Sequence, residues 1–408
     1  MSEQFMFRRP ALAERIAETA LGRDAFETTA GTFLAAPRRT GKSTFLTSEL
    51  VPVLKAKGAL PVYVDLWSNT GIDPAQLLME AVKAEARLAQ GRLRRAIRGT
   101  GLSKVGIGSW VSVDVANIGA PGGPTLGAAL ADLITGVRKP VVLVVDEAQH
   151  AITSEAGRVA MFALKSARDT INIPPHQGKG SKPWLGLVFT GSNRDKLASL
   201  VSGRAQPFFG SSVTAFPLLG RDYAAAYAAF VNGRPGAATR YGADEMYEAF
   251  QAIGHRPQLL HTAVKNHVLG MVGGGDAPDG PVSLNDHARA AREAYWTEFD
   301  AQWASLTPLQ QAVLERLLEQ GGKFRPFDIA SVSDYAARTG RPVSPGDAQA
   351  GLDALREKGL VVRLERGRYT PDDSALGDWY AARSGRAGTE ENDGGDGAGG
   401  GAGGGPRA

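Results

Sequence analysis

The stretch from Thr32 to Leu46, TFLAAPRRTGKSTFL, constrains this chain more than any other. An apolar run (Thr32 to Ala36) leads into a tight turn, then Gly41-Lys42-Ser43-Thr44, then an apolar helical segment. Strand, loop and helix in that order are the setting that a phosphate-binding loop requires. Gly41 lets the backbone come close to an anion, and the first amides of the following helix point at it with the helix dipole behind them. In this reading Pro37, Arg38, Arg39, Thr40, Gly41, Lys42, Ser43 and Thr44 form the cradle of a nucleotide. Lys42 bridges the β- and γ-phosphates as a point charge, and Ser43 offers its hydroxyl to Mg²⁺. One position departs from the usual pattern, which opens with Gly six places before the lysine; here that place is Ala36.

The second constraint is Val141 to His150, VVLVVDEAQH. Five aliphatic residues without alternation suit a central strand buried on both faces. Asp146 and Glu147 end it, and open α/β sheets bind ligands at the carboxyl ends of their strands. Asp146 is expected to hold Mg²⁺ and Glu147 to polarise the attacking water. The fourth strand in chain order, Leu185 to Thr190, ends in Gly191-Ser192-Asn193, where a polar side chain can reach the γ-phosphate or the water; Asn193 is the first candidate, with Thr190 and Ser192 behind it. Arg204 precedes a fifth strand, Val213 to Leu218, in the region that would supply an arginine finger. Arg256 opens a helix after Gly254-His255 and is placed to sense the nucleotide from a lid. Phe7, Arg8 and Arg9, ahead of a helix over 10–21, either line the adenine pocket or cap that helix.

Between these motifs, strands and helices alternate. Leu46, Leu50, Val53 and Leu54 mark a helix ending at Gly58, Pro61 to Leu66 is a strand, and Asp73-Pro74 starts a helix reaching about Gln90. This order implies a parallel sheet with crossovers. A basic run from Lys83 to Lys104 is either a phosphate-neutralising face or a solvated helix face, and Val105 to Val115 reads as an inserted hairpin. A helix with Val159, Phe162 and Leu164 follows the second motif. From Ser305, three helices and a hairpin turning at Glu365-Arg366 make a winged helix, with Arg356, Lys358, Arg363, Arg366 and Arg368 on its third helix and wing. The tail from Ser384 has almost no apolar side chains and is expected to be disordered.

Other classes fall away. The 408 residues contain no cysteine, so disulfide scaffolds and thiolate chemistry are excluded, and the six histidines show no zinc-binding spacing. The net charge of +4 is compatible with nucleic acid without requiring it. The N-terminus lacks the apolar core of a signal peptide, and no aliphatic run spans a bilayer. A cytoplasmic protein with no membrane contact is expected.

Together, APRRTGKST, VVLVVDEAQH, the TGSN strand end, GHRP and the C-terminal winged helix resemble the archaeal-type AAA+ ATPases of the STAND-related branch, over roughly residues 5 to 380. The resemblance implies an α/β fold, a five-stranded parallel sheet with the P-loop strand central, flanked by helices. It implies a P-loop ATPase core over 1–220, with an insertion at about 83–125. A helical lid over 221–300 and a winged helix over 301–383 follow, with the Gly-rich tail over 384–408. Lys42, Ser43, Asp146 and Glu147 carry over as nucleotide, Mg²⁺ and water-activating residues, with ATP/ADP and Mg²⁺ as cofactors. The stretch Pro207 to Ser211 has no arginine where relatives often have one, a departure that counts against an arginine finger and fast ATP turnover by an oligomer. The function implied is Mg²⁺-dependent ATP hydrolysis that repositions the lid and winged helix. Two alternatives stay open: a nucleotide-gated DNA-binding module of the loader or transposition-regulator kind, and a signalling switch that holds ADP with little turnover. DNA, a protein partner or further copies of the chain are the partners these readings admit.

Overall fold

The computed structural model describes residues 5–24, 30–100, 125–173, 183–192, 194–234, 239–270, 282–365, 367–373 and 375–385. The expected hairpin over 105–115, Asn193, Arg366 and the tail beyond 385 lie outside them.

Helix α1 (Pro10–Ala20) precedes strand β1 (Thr32–Ala35) and the phosphate-binding loop. Helix α2 (Lys42–Phe45) runs through a π-helical turn (Leu46–Leu50) into α3 (Val51–Ala56), where Pro52 stands in the first turn and has no amide to give the ladder. Strand β2 (Leu60–Asp65) follows, then α4 (Pro74–Thr100), which starts where Asp73 Oδ1 accepts from the Ala75 amide at 2.8 Å. The helix continues ten residues past the expected end near Gln90, because a single Gly91 costs too little to stop it and the residues from Arg92 to Arg98 are mostly good helix formers. Helix α5 (Leu126–Val137), strand β3 (Val141–Asp146), α6 (Glu155–Asn172), strand β4 (Leu185–Gly191), α7 (Arg194–Ala198) and strand β5 (Val213–Ala215) complete the sheet and its cover.

The five strands are parallel in the order β2-β3-β4-β1-β5. The P-loop strand was expected at the centre of the sheet and is not there: β4 is central, with β1 between it and the short edge strand β5. Strand β4 is buried along its whole length, whereas β5 is mostly exposed and ends three residues earlier than expected. Both faces of the sheet are apolar. On β3, Val141, Leu143 and Val145 face one core with α4, α5 and α6, and Val142 and Val144 face the other with α1 and α2. Alternation of side chains along a strand sends successive residues to opposite faces, so a continuous aliphatic run is what two covered faces demand. Of the three apolar residues that marked helix α6 in the sequence, Leu164 is buried, with Met161, while Val159 and Phe162 are exposed, because the buried i, i+3, i+4 set begins at Gly157.

Helices α8 (Arg221–Asn232), α9 (Ala243–Ala252) and α10 (Pro257–Leu269) build a separate core with the first half of α11 (Leu284–Ala304). The second half of α11, through Tyr295, Trp296 and Phe299, belongs to the core of the C-terminal unit. That unit is a winged helix: α12 (Pro308–Gln320), α13 (Ile329–Thr339), α14 (Pro345–Glu357), the antiparallel hairpin β6 (Val361–Glu365) and β7 (Arg368–Pro371), then α15 (Ala375–Arg383). Capping boxes at Ser283, Thr307 and Ser344 set the starts of three of these helices. No described helix is long and apolar enough to cross a membrane.

Candidate functional site

The strand order brings the ends of β1, β4 and β3 side by side, with β4 between the P-loop strand and the strand that carries Asp146. Gly41 adopts φ 87° and caps α2 in the left-handed region that glycine occupies without strain. Arg39 also has positive φ, at 65°, while Ala36 does not. The opening position of the loop is a buried, ordinary backbone whose amide donates to Gly191 O at 3.1 Å, so alanine serves there as well as glycine would. Thr40 Oγ1 donates to Pro37 O at 2.8 Å and closes the loop on itself. The eight loop residues and Glu147 enclose a cavity of about 250 Å³.

Lys42, 5% exposed, lies 2.5 Å from Asp146 Oδ1 and 2.9 Å from Glu147 Oε1. Ser43 Oγ donates to Asp146 Oδ2 at 2.5 Å, Thr190 Oγ1 donates to Asp146 Oδ1, and Tyr63 OH donates to Oδ2 at 3.4 Å. In a strand, neighbouring side chains point to opposite faces. Glu147 leaves β3 with φ 52°, and that left-handed turn lets its carboxylate join Asp146 on Lys42 instead of pointing away. Its other oxygen, Oε2, accepts from Gln149 Nε2 at 2.5 Å, Ser192 Oγ at 2.7 Å and Ser192 N at 3.1 Å.

Burial opposes ionisation of all three charged groups, and their mutual contacts prevail. Burial pushes the carboxyls of Asp146 and Glu147 up, but Lys42 and the surrounding donors hold both below the ordinary carboxylate range. For Lys42, burial is outweighed by the two carboxylates and its pKa is raised. Asp65, in register with Asp146 across β2 and β3, is pushed up by burial and, less strongly, by the negative charge of Asp146 and Glu147. Tyr63 is held in its neutral, donating form by burial and by Asp146.

Of the predicted residues, the structure gathers Lys42, Ser43, Asp146 and Glu147 into one contact network, with the rest of the loop around it. Arg38 stacks over Trp67 at 3.9 Å, and Arg39 pairs with Glu298 at 3.0 Å. Thr190 and Ser192 hold the two acids, the places that the sequence reading ranked behind Asn193. Arg204 is exposed, in a turn segment away from these contacts. Arg256 is not in the cradle: it is 2% exposed and paired with Asp373. Phe7 packs edge-on against Tyr223, and Arg9 is clasped between the rings of Phe45 and Phe216 at 4.8 and 4.7 Å, so both tie the N-terminal segment to its neighbours. Gln149 and Tyr63 were missed. Gln149 stands in the DEAQ motif already singled out; nothing local marks Tyr63, which reaches Asp146 only because β2 pairs with β3.

Neither a protein-family model nor a curated protein matches the sequence. Solved structures do. The Walker-type ATPase of Pyrococcus abyssi superposes with a TM-score of 0.56 at 16% identity, over 92% of this chain and 95% of that one. The fold is that of the AAA+ P-loop ATPases. The ORC2 protein of Aeropyrum pernix, solved as ADPNP–ADP complexes, is similar at a TM-score of 0.50 and 15% identity, covering 92% of this chain and 94% of that one. In this chain Lys42, Asp146, Glu147 and Ser192 are joined by contacts at the carboxyl ends of the strands.

Proposed function

We propose that this chain is a Mg²⁺-dependent ATPase whose nucleotide state positions the lid and the winged helix. The observation that carries the reading is the buried contact of Lys42 with Asp146 and Glu147 beside the P-loop cavity. A cation held so tightly by two acids has no packing purpose that a neutral side chain would not serve better. A triphosphate entering the cavity supplies the oxygens for which Lys42 is placed.

The donor set fits Mg²⁺. Ser43 and Asp146 offer hard oxygen atoms within 2.5 Å of each other, and among the described residues no cluster of three His, Cys, Asp or Glu forms a cage of its own. An ion that takes one or two protein oxygens and completes its shell with phosphate and water suits such a place. When bound, Mg²⁺ neutralises charge on the phosphates. The chain's own part is positioning. The amides after Gly41 and the Lys42 ammonium hold the phosphates. Gln149 and Ser192 fix Glu147 through Oε2 and leave Oε1 free to orient a water once Lys42 turns to the phosphates. A carboxylate with a lowered pKa is a weak base, which suits a phosphoryl transfer that asks mainly for alignment.

The winged helix is the moving element of this proposal, with the core over 1–220 and the lid over 221–300 as its other units. Its third helix, α14, carries Asp347 and Asp353 ahead of Arg356, and Arg356 pairs with Asp353 at 3.0 Å. Acids on that helix set charge against a phosphate backbone, so a protein contact is favoured over DNA. The deciding experiment is phosphate release from ATP and Mg²⁺, with Glu147→Gln as control, with and without duplex DNA. Turnover that vanishes in the variant supports the enzyme. Nucleotide bound without turnover in either condition favours a switch, and stimulation by DNA restores the DNA-gated reading.

A further inference from the structure

The P-loop cavity and a second cavity of about 190 Å³, lined among others by Gln149, His150 and Ser192, share two lining residues, Pro37 and Arg38. Arg38 is the charged one of the two. Glu147 lines the first cavity, and Gln149 and Ser192, which hold its Oε2, line the second. Arg38 therefore stands where the loop meets the group that orients water. Its guanidinium lies 3.9 Å from the centre of the Trp67 ring, and among the described residues no carboxylate pairs with it. Trp67 is itself fixed. Its amide donates to Asp65 Oδ1 at 2.8 Å, and its ring lies 4.9 Å from that of His150. The Leu66 amide before it donates to Asp146 O at 3.1 Å, so the pairing of β2 with β3 sets this platform beside the two acids. Other arginines are engaged or remote: Arg39 pairs with Glu298, Arg256 with Asp373, and Arg204 is exposed away from the site.

We propose that Arg38 is a catalytic residue, an arginine finger supplied from within the P-loop and held on Trp67 until a triphosphate fills the cavity. In hydrolysis the water oxygen bonds to the γ-phosphorus while the bond from that phosphorus to the bridging oxygen breaks. The electron pair of the broken bond stays with ADP, and one proton of the water leaves to solvent. Negative charge is spread over the transferred group and the bridge as this happens, and a guanidinium beside them stabilises it. A stack on an indole orients the guanidinium plane and holds it less tightly than a carboxylate fork does, so the arginine is kept near the site and free to turn to phosphate. Trp67 is its positioning residue. A finger from the same chain needs no second copy, in keeping with the lack of arginine from Pro207 to Ser211. This inference rests on the ATPase reading.

The test uses the full chain with Mg²⁺, ATP and ADP, and ADP with aluminium fluoride as a mimic of the phosphoryl group in transfer. Arg38→Ala is expected to slow single-turnover cleavage by about 100-fold, the size of one lost donor to developing charge, with ADP affinity changed less than about threefold. Affinity for the ADP–aluminium fluoride complex is expected to fall by a similar factor of about 100. Arg38→Lys keeps the charge without the planar fork and is expected to stay at least about tenfold slow. Trp67→Ala is expected to slow cleavage about fivefold, to add nothing in the Arg38→Ala background, and to be rescued by Trp67→Phe, which keeps an aromatic face. Fluorescence of Trp67, taken as the difference between wild type and Trp67→Phe, is expected to change when the mimic binds and to stay constant in Arg38→Ala. An equal loss of affinity for ADP and for the mimic would make Arg38 a ground-state contact and overturn the proposal. So would turnover per chain that rises with chain concentration and vanishes in Arg204→Ala, because the finger then comes from a second copy. If Arg38→Ala cleaves ATP at the wild-type rate while Glu147→Gln does not, the finger is overturned and the ATPase stands. If the wild type cleaves no ATP, both readings fall.

Discussion

Lys42 and Asp146, 104 residues apart in sequence, meet at 2.5 Å in the interior of the sheet's carboxyl edge. Each neutralises the other, and Glu147 adds a second negative charge to the same ammonium at 2.9 Å. The pair makes the site a structural element as well as a chemical one.

Replacing Lys42 by alanine leaves two buried carboxylates facing each other without a counter-charge. Breaking a buried pair by removing one partner typically costs about 3–5 kcal/mol. The variant is expected to lose about 3 kcal/mol in urea unfolding as well as its nucleotide affinity, unlike Ser43→Ala, which spares the ion pair. An unfolding midpoint equal to the wild type's would show that the contact contributes nothing in solution.

The same network sets a pH dependence. Asp146 and Glu147 have folded pKa values below their ordinary 3.8 and 4.5, so their contribution is present above those values and is lost as pH falls through the folded ones. Lys42 has a folded pKa above its ordinary 10.5, so its contribution is full below that value and is lost as pH rises through the folded one. Stability measured from pH 7 down to pH 3 is expected to drop chiefly below pH 4.5, and the Lys42→Ala profile to be flatter.

For turnover, Glu147→Gln is expected to bind ATP and to release phosphate at least ~100-fold more slowly, since on the proposed function it removes the carboxylate that aligns the water. Ser192→Ala removes one donor to Oε2 and is expected to slow release by about tenfold at little change in nucleotide affinity. Single-turnover measurement separates the two effects. Equal rates in Ser192→Ala and wild type would remove Ser192 from the positioning of Glu147.

Gly186 offers a test of packing far from the chemistry. A Cβ there would stand 2.1 Å from Ala20 O, the same carbonyl that accepts from Trp184 Nε1 at 2.8 Å. Neither α1 nor β4 can withdraw without opening the core, so Gly186→Ala is expected to cost about 2 kcal/mol or more in chemical denaturation. A variant as stable as the parent would mean that α1 yields freely.

Much of the fold was legible because its signals are local. Gly41-Lys42-Ser43 after a strand, an aliphatic run ending in Asp146-Glu147, and capping residues at Asp73, Thr307 and Ser344 each act within a turn or two of their own position. The stretch Val141 to Val145 showed that both faces of β3 are covered, because no polar residue interrupts it. Helix α6 was legible but not its buried face, since Val159 and Phe162 are as apolar as the Met161 and Leu164 that are buried, and composition alone does not tell them apart.

What the amino-acid sequence determined by itself was the identity of the elements and the chemical groups at their ends: a loop for phosphate, two acids, a winged helix. Tertiary structure alone decided which ends are neighbours. Periodicity reports that a face is buried but not against what, so β4 took the centre of the sheet and put Thr190 and Ser192 on the two acids. It likewise brought Tyr63 to Asp146 through the pairing of β2 with β3. The same limit holds for Arg256. Its sequence neighbours place it at a helix start, and only the packing of α11 against the winged helix gives its charge to Asp373, 117 residues away.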